Sequence, residues 1–192
     1  MSSHASVDPD RRTTLAAFAD RVGHHFADLD DLEAAVRHRS WCAEHPGPPS
    51  NERLEFLGDA VLQLVVTERL YTRAPDLSEG VLAQRRAALV NTRTLAEAGR
   101  RVALGPVVRL GRGEAATGGA DKDSILADAT EAVIGAVFLD AGLDAAASVV
   151  TSLLAEDLVR VEAGEDPGDP KSRLQEAAAR DLEAVPLSLI HI

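Results

Sequence analysis

The chain has 192 residues, of which 45% are hydrophobic, 27% charged and only 3% aromatic, and its formal net charge is −11. This composition excludes a globally disordered chain, and the excess of 31 acidic over 20 basic residues argues against a protein that holds polyanions by bulk electrostatic attraction. One cysteine excludes an internal disulfide, and the longest apolar run, 132–139, is too short to span a bilayer. We therefore expect a cytoplasmic protein without membrane contact.

The N-terminal quarter of the chain predicts short helices separated by turns. Residues 1–12 are polar and are predicted to be disordered. Apolar residues recur at helical spacing from Thr13 and stop at Gly23, and a second short helix is predicted around Leu32. The run 45–49, His-Pro-Gly-Pro-Pro, predicts a loop.

The remainder of the chain also has helical periodicity. The predicted elements are helices over 51–71, 80–88, 92–101, 124–139 and 143–161, with a glycine-rich loop over 105–120. Residues 13–161 thus predict one all-α domain. The acidic run 162–169 predicts a linker, and 170–192 a short remainder.

The segment 51–62, Asn-Glu-Arg-Leu-Glu-Phe-Leu-Gly-Asp-Ala-Val-Leu, carries the first informative pattern. At about 100° per residue, Glu52, Glu55 and Asp59 lie within roughly 60° of one another on one helix. Apolar residues flank this stripe, which predicts a largely buried helix. A solvated acidic face paired with arginines is the ordinary alternative, and the apolar flanks disfavour it, since buried carboxylates repel one another unless a cation joins them.

A second acidic pair lies on the predicted helix 124–139. Asp128 and Glu131 share one face, and Gly135 on the same face permits close approach of another helix or a ligand. Carboxylates from two helices indicate a site for a hard cation, Mg²⁺ or Mn²⁺. A di-iron bundle would need histidine at positions that hold Gly58 and Ile134, so that class is excluded. The residues alone predict a metal-dependent phosphodiesterase or phosphatase.

The segment 51–62 resembles the signature of the ribonuclease III family along its whole length. Further similar segments are His38-Arg-Ser40 followed by Trp41, Leu89-Val-Asn91, Ser124-Ile-Leu-Ala-Asp128, and Glu131-Ala-x-Ile-Gly135. The resemblance covers roughly 15–158. It implies an all-α endonuclease domain that forms a homodimer and cleaves double-stranded RNA with Mg²⁺, for which Mn²⁺ substitutes, and without a small-molecule cofactor. The implied products carry 5′-phosphate and 3′-hydroxyl ends, and the implied role is processing of ribosomal RNA precursors and other structured transcripts.

The resemblance also assigns roles to individual residues. The implied metal-binding catalytic carboxylates are Glu55, Asp59, Asp128 and Glu131. Glu52 is implied to be an outer acidic residue that assists the cleavage or a second metal. Phe56 resembles the family's aromatic plug at the dimer interface, with an ordinary core position as the alternative. Asn51 is suited either to orient the site or to cap the helix, and His38 and Cys42 are interpreted as packing or capping groups.

A basic region precedes and overlaps the glycine-rich loop. Its members are Arg85, Arg86, Arg93, Arg100, Arg101, Arg109 and Arg112, with only Glu97 as counter-charge. These arginines are suited to contact RNA phosphates, and the alternative is a set of ordinary surface arginines.

The C-terminal remainder resembles part of another domain. Residues 169–176 are similar to the opening helix of the double-stranded-RNA-binding domain that these enzymes carry, whereas 185–192 depart from that pattern. We therefore interpret 170–192 as the truncated start of such an α+β domain with an aberrant tail. A non-catalytic RNA-binding or ribosome-associated scaffold of the same fold is the alternative function, and the complete set of acidic residues disfavours it.

Overall fold

The computed structural model of the protein describes residues 8–163. Within this range the α-helices are α1 (Pro9–Val22), α2 (Leu29–Ala35), α3 (Arg39–Glu44), α4 (Glu52–Arg73), α5 (Glu79–Leu89), α6 (Thr92–Arg101), α7 (Arg112–Ala116), α8 (Asp123–Leu153) and α9 (Ala155–Glu162). The only β-type pairing in these residues is a single bridge between Arg37 and Arg109. The all-α prediction is confirmed. The predictions for 1–7, 164–169 and 170–192 lie outside the described residues.

The first helix begins earlier than the hydrophobic pattern indicated. Residues 9–12 were predicted to be disordered, but they form the first turn of α1. Pro9 occupies the start of the helix, where its fixed φ angle suits the helix and its missing N–H costs no hydrogen bond, and Asp10 places a negative charge in the first turn. The prediction was wrong here because this first turn is polar and contributes no buried apolar residue.

Helices α4 and α8 form the centre of the fold and make the most extensive helix–helix contact within residues 8–163. The core around them includes Leu62 and Val66 from α4 and Leu126, Ile134 and Val137 from α8, all at most 1% exposed. Helices α6 and α2 pack on other sides of α8. The acidic segments therefore belong to the two most central helices.

Helix α8 consists of two helical parts separated by a kink at Gly142, where φ is 81° and ψ is −172°. This kink lies where the sequence predicts a break, between 139 and 143. The position suits glycine, because only glycine adopts such a backbone conformation without strain. By length and apolarity alone, α8 is the one helix in residues 8–163 that is able to cross a membrane. A central core helix passes the same test, and α8 packs against α4, α6 and α2.

Candidate functional site

Two glycines bring the backbones of α4 and α8 into direct contact. A Cβ atom on Gly58 would lie 1.7 Å from the carbonyl oxygen of Glu131, and one on Gly135 would lie 2.4 Å from the carbonyl oxygen of Leu54. Any other residue at these positions would force the helices apart, which confirms the close approach predicted at Gly135. Because Gly58 directly precedes Asp59, and Gly135 follows Glu131 by about one turn, the crossing brings acidic residues of both helices together.

Four carboxylates surround this crossing, and we call them the acid cluster: Glu55, Asp59, Asp128 and Glu131. All four are half-buried. Burial, reinforced by the negative charges of the other three, raises the pKa of Glu131 to about 8. The mutual effect shows that acids far apart in the sequence share one space, so the fold brings the predicted carboxylates together.

Two other members of the acid cluster also have raised pKa values. Burial raises the pKa of Glu55, and the charges of Asp128 and Glu52 raise it further, whereas Arg39 lowers it. Burial raises the pKa of Asp128, partly opposed by His38 and Arg39. The cluster therefore carries more negative charge than its surroundings balance, and it favours either a proton or a cation.

Within residues 8–163, no member of the acid cluster forms an ion pair with Lys, Arg or His. Asp59 accepts a hydrogen bond from Gln63, with Nε2 and Oδ1 3.2 Å apart. In the same range, no three Asp, Glu, His or Cys side chains already form a group arranged to hold a metal ion. The donor set nevertheless fits a hard divalent cation, because it consists of carboxylate oxygens that lack a positive partner.

Glu52 lies at the edge of the cluster and is exposed to solvent. Its Oε2 atom accepts a hydrogen bond from the Ser50 hydroxyl at 2.5 Å, and its Oε1 atom lies 3.9 Å from Nη1 of Arg39. The alternative interpretation of these acids, a solvated face paired with arginines, therefore holds for Glu52 but not for the acid cluster.

The prediction of a largely buried α4 holds for only part of its surface. Phe56, Leu64 and Tyr71 are 81%, 55% and 72% exposed, and they lie along one face of α4, which we call the apolar stripe. Within residues 8–163 these three side chains therefore lie outside the core. The core position considered for Phe56 is wrong.

Asn51 is buried but does not cap α4 with its side chain. Its backbone, with φ −73° and ψ −7°, is already helical, whereas a capping residue needs an extended backbone to turn its side chain towards the following N–H groups. Its own N–H donates to the carbonyl oxygen of Arg37 at 2.8 Å, which joins the start of α4 to the segment before α3.

The basic region predicted between 85 and 112 is largely neutralised by acids from other parts of the chain. The ion pairs are Arg93–Glu97, Arg100–Asp121, Arg100–Asp123, Arg101–Asp157, Arg109–Glu33 and Arg112–Glu44. The expectation that Glu97 is the only counter-charge is therefore wrong. Five of these six pairs join residues more than twenty positions apart, so sequence proximity does not reveal them.

His38 caps α3, as interpreted from the sequence, because its Nδ1 atom accepts the backbone N–H of Ser40. Its location beside the acid cluster was not predicted. The negative charge of Asp128 raises the pKa of His38, against the larger lowering by burial, so the two side chains are near each other. The neighbouring Arg39 is close enough to lower the pKa of Glu55. The sequence signal for this location is the His-Arg-Ser motif at 38–40. A motif by itself does not indicate which helix its residues face in the fold.

Comparisons with known proteins agree with this geometry. A family model described as ribonuclease-III-like matches residues 30–158. Ribonuclease 3 of Thermobifida fusca is 54% identical over 170 residues, spanning 88% of this chain and 70% of that protein. Ribonuclease 3 of Streptomyces coelicolor is 55% identical over 160 residues, spanning 83% of this chain and 58% of that protein. This chain thus matches only part of the length of either relative.

Among solved structures, the nuclease domain of ribonuclease III from Campylobacter jejuni aligns with this chain at a TM-score of 0.71 and 37% identity. The alignment covers 76% of this chain and 99% of that domain, in which a region involved in dimer formation is structurally flexible. The helical fold described here is therefore that of a nuclease domain.

Proposed function

The chain belongs to the ribonuclease III family of endoribonucleases, and from that premise we propose that it cleaves double-stranded RNA with the help of a divalent cation. The observation that carries this proposal is the acid cluster at the Gly58–Gly135 crossing. A protein that only bound RNA would have no use for four half-buried carboxylates without positive partners, because they destabilise the fold and repel phosphate.

We assign the cation to Glu55, Asp59, Asp128 and Glu131, with Mg²⁺ as the ion and Mn²⁺ as its substitute. When bound, such an ion stabilises negative charge on a phosphate and makes water a better nucleophile. These carboxylates would hold the ion, on side chains that the two contacting helices position, and the ion would supply the positive charge that the buried carboxylates lack. Glu52 assists from the edge of the cluster. This chemistry requires no small-molecule cofactor.

The proposed products are strands with 5′-phosphate and 3′-hydroxyl ends, and the proposed role is processing of ribosomal RNA precursors, messenger RNA and transfer RNA in the cytoplasm. A net charge of −11 does not attract RNA by itself, so binding of the duplex would depend on local contacts with its phosphates, including a cation held at the acid cluster.

We also propose that the chain acts as a homodimer through the apolar stripe. Exposed aromatic side chains in a row are typical of a protein interface. In a two-fold dimer the same face meets itself, so Phe56 near the start of α4 comes to lie against the other end of the partner's α4. A cavity of about 340 Å³ beside Tyr71 and Leu82 offers a receptor for such a plug.

The nuclease domain in this proposal occupies 13–161, extended by the first turn of α1 from Pro9. Residues 162–169 remain the proposed linker, and 170–192 the proposed start of a double-stranded-RNA-binding domain.

The direct test is to incubate the purified chain with a long RNA duplex, the same RNA as a single strand, and a DNA duplex of equal length. We expect cleavage of the RNA duplex with Mg²⁺ or Mn²⁺, little cleavage of the other substrates and none with a chelator. The 5′ ends should accept a label only after phosphatase treatment. Binding of the duplex without cleavage under any of these conditions would favour the scaffold over the enzyme.

A further inference from the structure

His38 stands at the start of α3, and main-chain contacts place it beside the start of α4. The carbonyl oxygen of Arg37 accepts the N–H of Asn51 at 2.8 Å, so the residue before His38 is tied to the residue before Glu52. On the other side of His38, Nη1 of Arg39 lies 3.9 Å from Oε1 of Glu52. The imidazole is thus held at the edge of the acid cluster and is half-buried.

The hydrogen bonds around His38 determine which ring nitrogen carries the proton. Nδ1 accepts the backbone N–H of Ser40 at 3.2 Å and lies 2.7 Å from the Ser40 hydroxyl oxygen. That oxygen accepts the backbone N–H of Gly111 at 2.9 Å, so the hydroxyl proton is free to point at Nδ1. Because a backbone N–H only donates, Nδ1 must present its lone pair, and the proton of the neutral ring lies on Nε2.

The surroundings keep this ring neutral and leave its donor unused. Burial lowers the pKa of His38, although the negative charges of Glu114, Asp128 and Glu52 oppose that change. Within residues 8–163, Nε2 has no hydrogen-bond partner, whereas Nδ1 has both of the contacts with Ser40. The fold therefore prepares an N–H donor at the edge of a carboxylate cluster without giving it an acceptor.

We propose that His38 donates a hydrogen bond from Nε2 to a phosphate oxygen of the RNA at the cleavage site, and that Ser40 is the positioning residue that fixes the tautomer. The inference rests on the proposed function of the acid cluster. A cationic side chain here would pair with Asp128 or Glu114, whereas a neutral N–H donor remains available for the phosphate. The role adds a substrate contact from α3 to the carboxylates of α4 and α8.

The test uses two substitutions, each of which preserves the hydrogen-bonding function of one ring nitrogen and removes that of the other. In His38→Asn the side-chain oxygen takes the place of Nδ1 and keeps the cap, but no donor reaches the position of Nε2. In His38→Gln an N–H group reaches the position of Nε2, but the cap is lost. We expect His38→Asn to keep its melting temperature within about 2 °C while its cleavage rate at saturating RNA falls about 10- to 100-fold.

We expect His38→Gln to show the opposite pattern, with a lower melting temperature and a cleavage rate closer to that of the parent. If His38→Asn cleaves at the parent rate, or if His38→Gln loses as much rate as His38→Asn, the donor role is wrong and His38 is only a helix cap. A parent chain that cleaves no RNA duplex overturns the proposed function, and the RNA contact with it.

A spectroscopic measurement tests the tautomer without relying on cleavage. In the parent chain with ¹⁵N-labelled histidine, we expect the His38 signals at neutral pH to show a protonated Nε2 and an unprotonated Nδ1. In Ser40→Ala the hydroxyl is lost while the backbone N–H still donates to Nδ1, so we expect the Nε2-protonated tautomer to be kept and the cleavage rate to fall because the ring is held less firmly. A protonated Nδ1 in the parent, or an unchanged cleavage rate in Ser40→Ala, contradicts the assignment.

Discussion

Two of the regions in which carboxylates are withdrawn from solvent differ in how their charge is balanced. Glu33 on α2 accepts a hydrogen bond from Nε of Arg11 at 2.8 Å and forms a second ion pair with Arg109, and we call these three residues the Glu33 network. The acid cluster has no such partners in the described residues. The comparison teaches that a buried carboxylate with positive partners depends on them, because removing either side leaves a buried charge unbalanced, whereas the uncompensated group is where we propose that a cation binds.

The largest effect should come from exchanging one carboxylate for an amide in each region. We expect Glu131→Gln to reduce cleavage of duplex RNA by about a hundred- to a thousandfold, because an amide keeps the size of the side chain but lacks the negative charge. The matched substitution Glu33→Gln should change the cleavage rate per folded molecule only a few-fold. Rates measured at equal concentrations of folded protein check this, and equal losses in the two variants would remove the functional distinction between the regions.

The contact that assembles the acid cluster should be sensitive to a single methyl group. Gly58→Ala places a Cβ atom against the backbone of Glu131 and is expected to lower the free energy of unfolding by about 3 kcal/mol. The control is Gly80→Ala in α5, where a Cβ atom meets nothing within 4 Å and stability should rise by about 0.5 kcal/mol. Denaturant unfolding of both variants distinguishes a specific helix contact from a general effect of replacing glycine, and a Gly58→Ala variant as stable as the parent would contradict the packing.

Removing the carboxylate of the compensated region should cost nearly as much. Glu33→Ala leaves Arg11 and Arg109 without their shared partner, and we expect a loss of about 3 kcal/mol in the free energy of unfolding. The control is Glu97→Ala, which breaks a more exposed pair with Arg93 within one helix and should cost about 0.5 kcal/mol or less. Thermal unfolding compares the two, and equal losses would mean that the Glu33 network is no stronger than a surface pair.

The smallest expected effect is the response of the metal-free protein to pH. Because the pKa of Glu131 is raised from 4.5 to about 8, the folded state keeps a proton that the unfolded state releases. The stability that this proton contributes is fully present below pH 4.5 and is lost as the pH rises towards 8. Solvent screening limits the loss to roughly 1 kcal/mol.

The difference between the parent and Glu131→Gln isolates this contribution, since His38 has a lowered pKa and changes stability in the opposite direction with pH. With a chelator present, we expect the stability advantage of Glu131→Gln over the parent to grow as the pH rises, and Mg²⁺ to reduce it. An advantage that is constant over the whole pH range would show that Glu131 is not destabilised by its neighbours.

Much of the fold could be predicted from local sequence patterns. The boundaries of α5 and α6 and the break at Gly142 followed from capping residues, apolar spacing and glycine, because these features act within one or two turns of a helix. Helix α3 was not predicted, since its six residues contain no buried residue and so provide no apolar period. The early start of α1 was missed for the same reason.

The candidate site was only partly predictable. Helical spacing placed Glu55 with Asp59, and Asp128 with Glu131, on shared faces, and the fold brings the two pairs together across the glycine crossing. The exposed position of Phe56 was left open by the sequence, because on a helix with apolar residues on both sides of its acidic stripe an apolar residue has the same pattern whether it faces the core or a partner. In the sequence, Gly58 served only to exclude a di-iron site, because it stands where that site needs histidine. In the structure, its contact with Glu131 sets the distance between α4 and α8.

The sequence by itself determined which acidic residues share a helix face, because helical geometry relates residues three or four positions apart without reference to the rest of the chain. Only the tertiary structure decided which of these charges are balanced. Ion pairing depends on distance in space, and the partners of Glu33 come from positions 22 and 76 residues away. The same charged residue types are therefore balanced in one region and left without positive partners in the other.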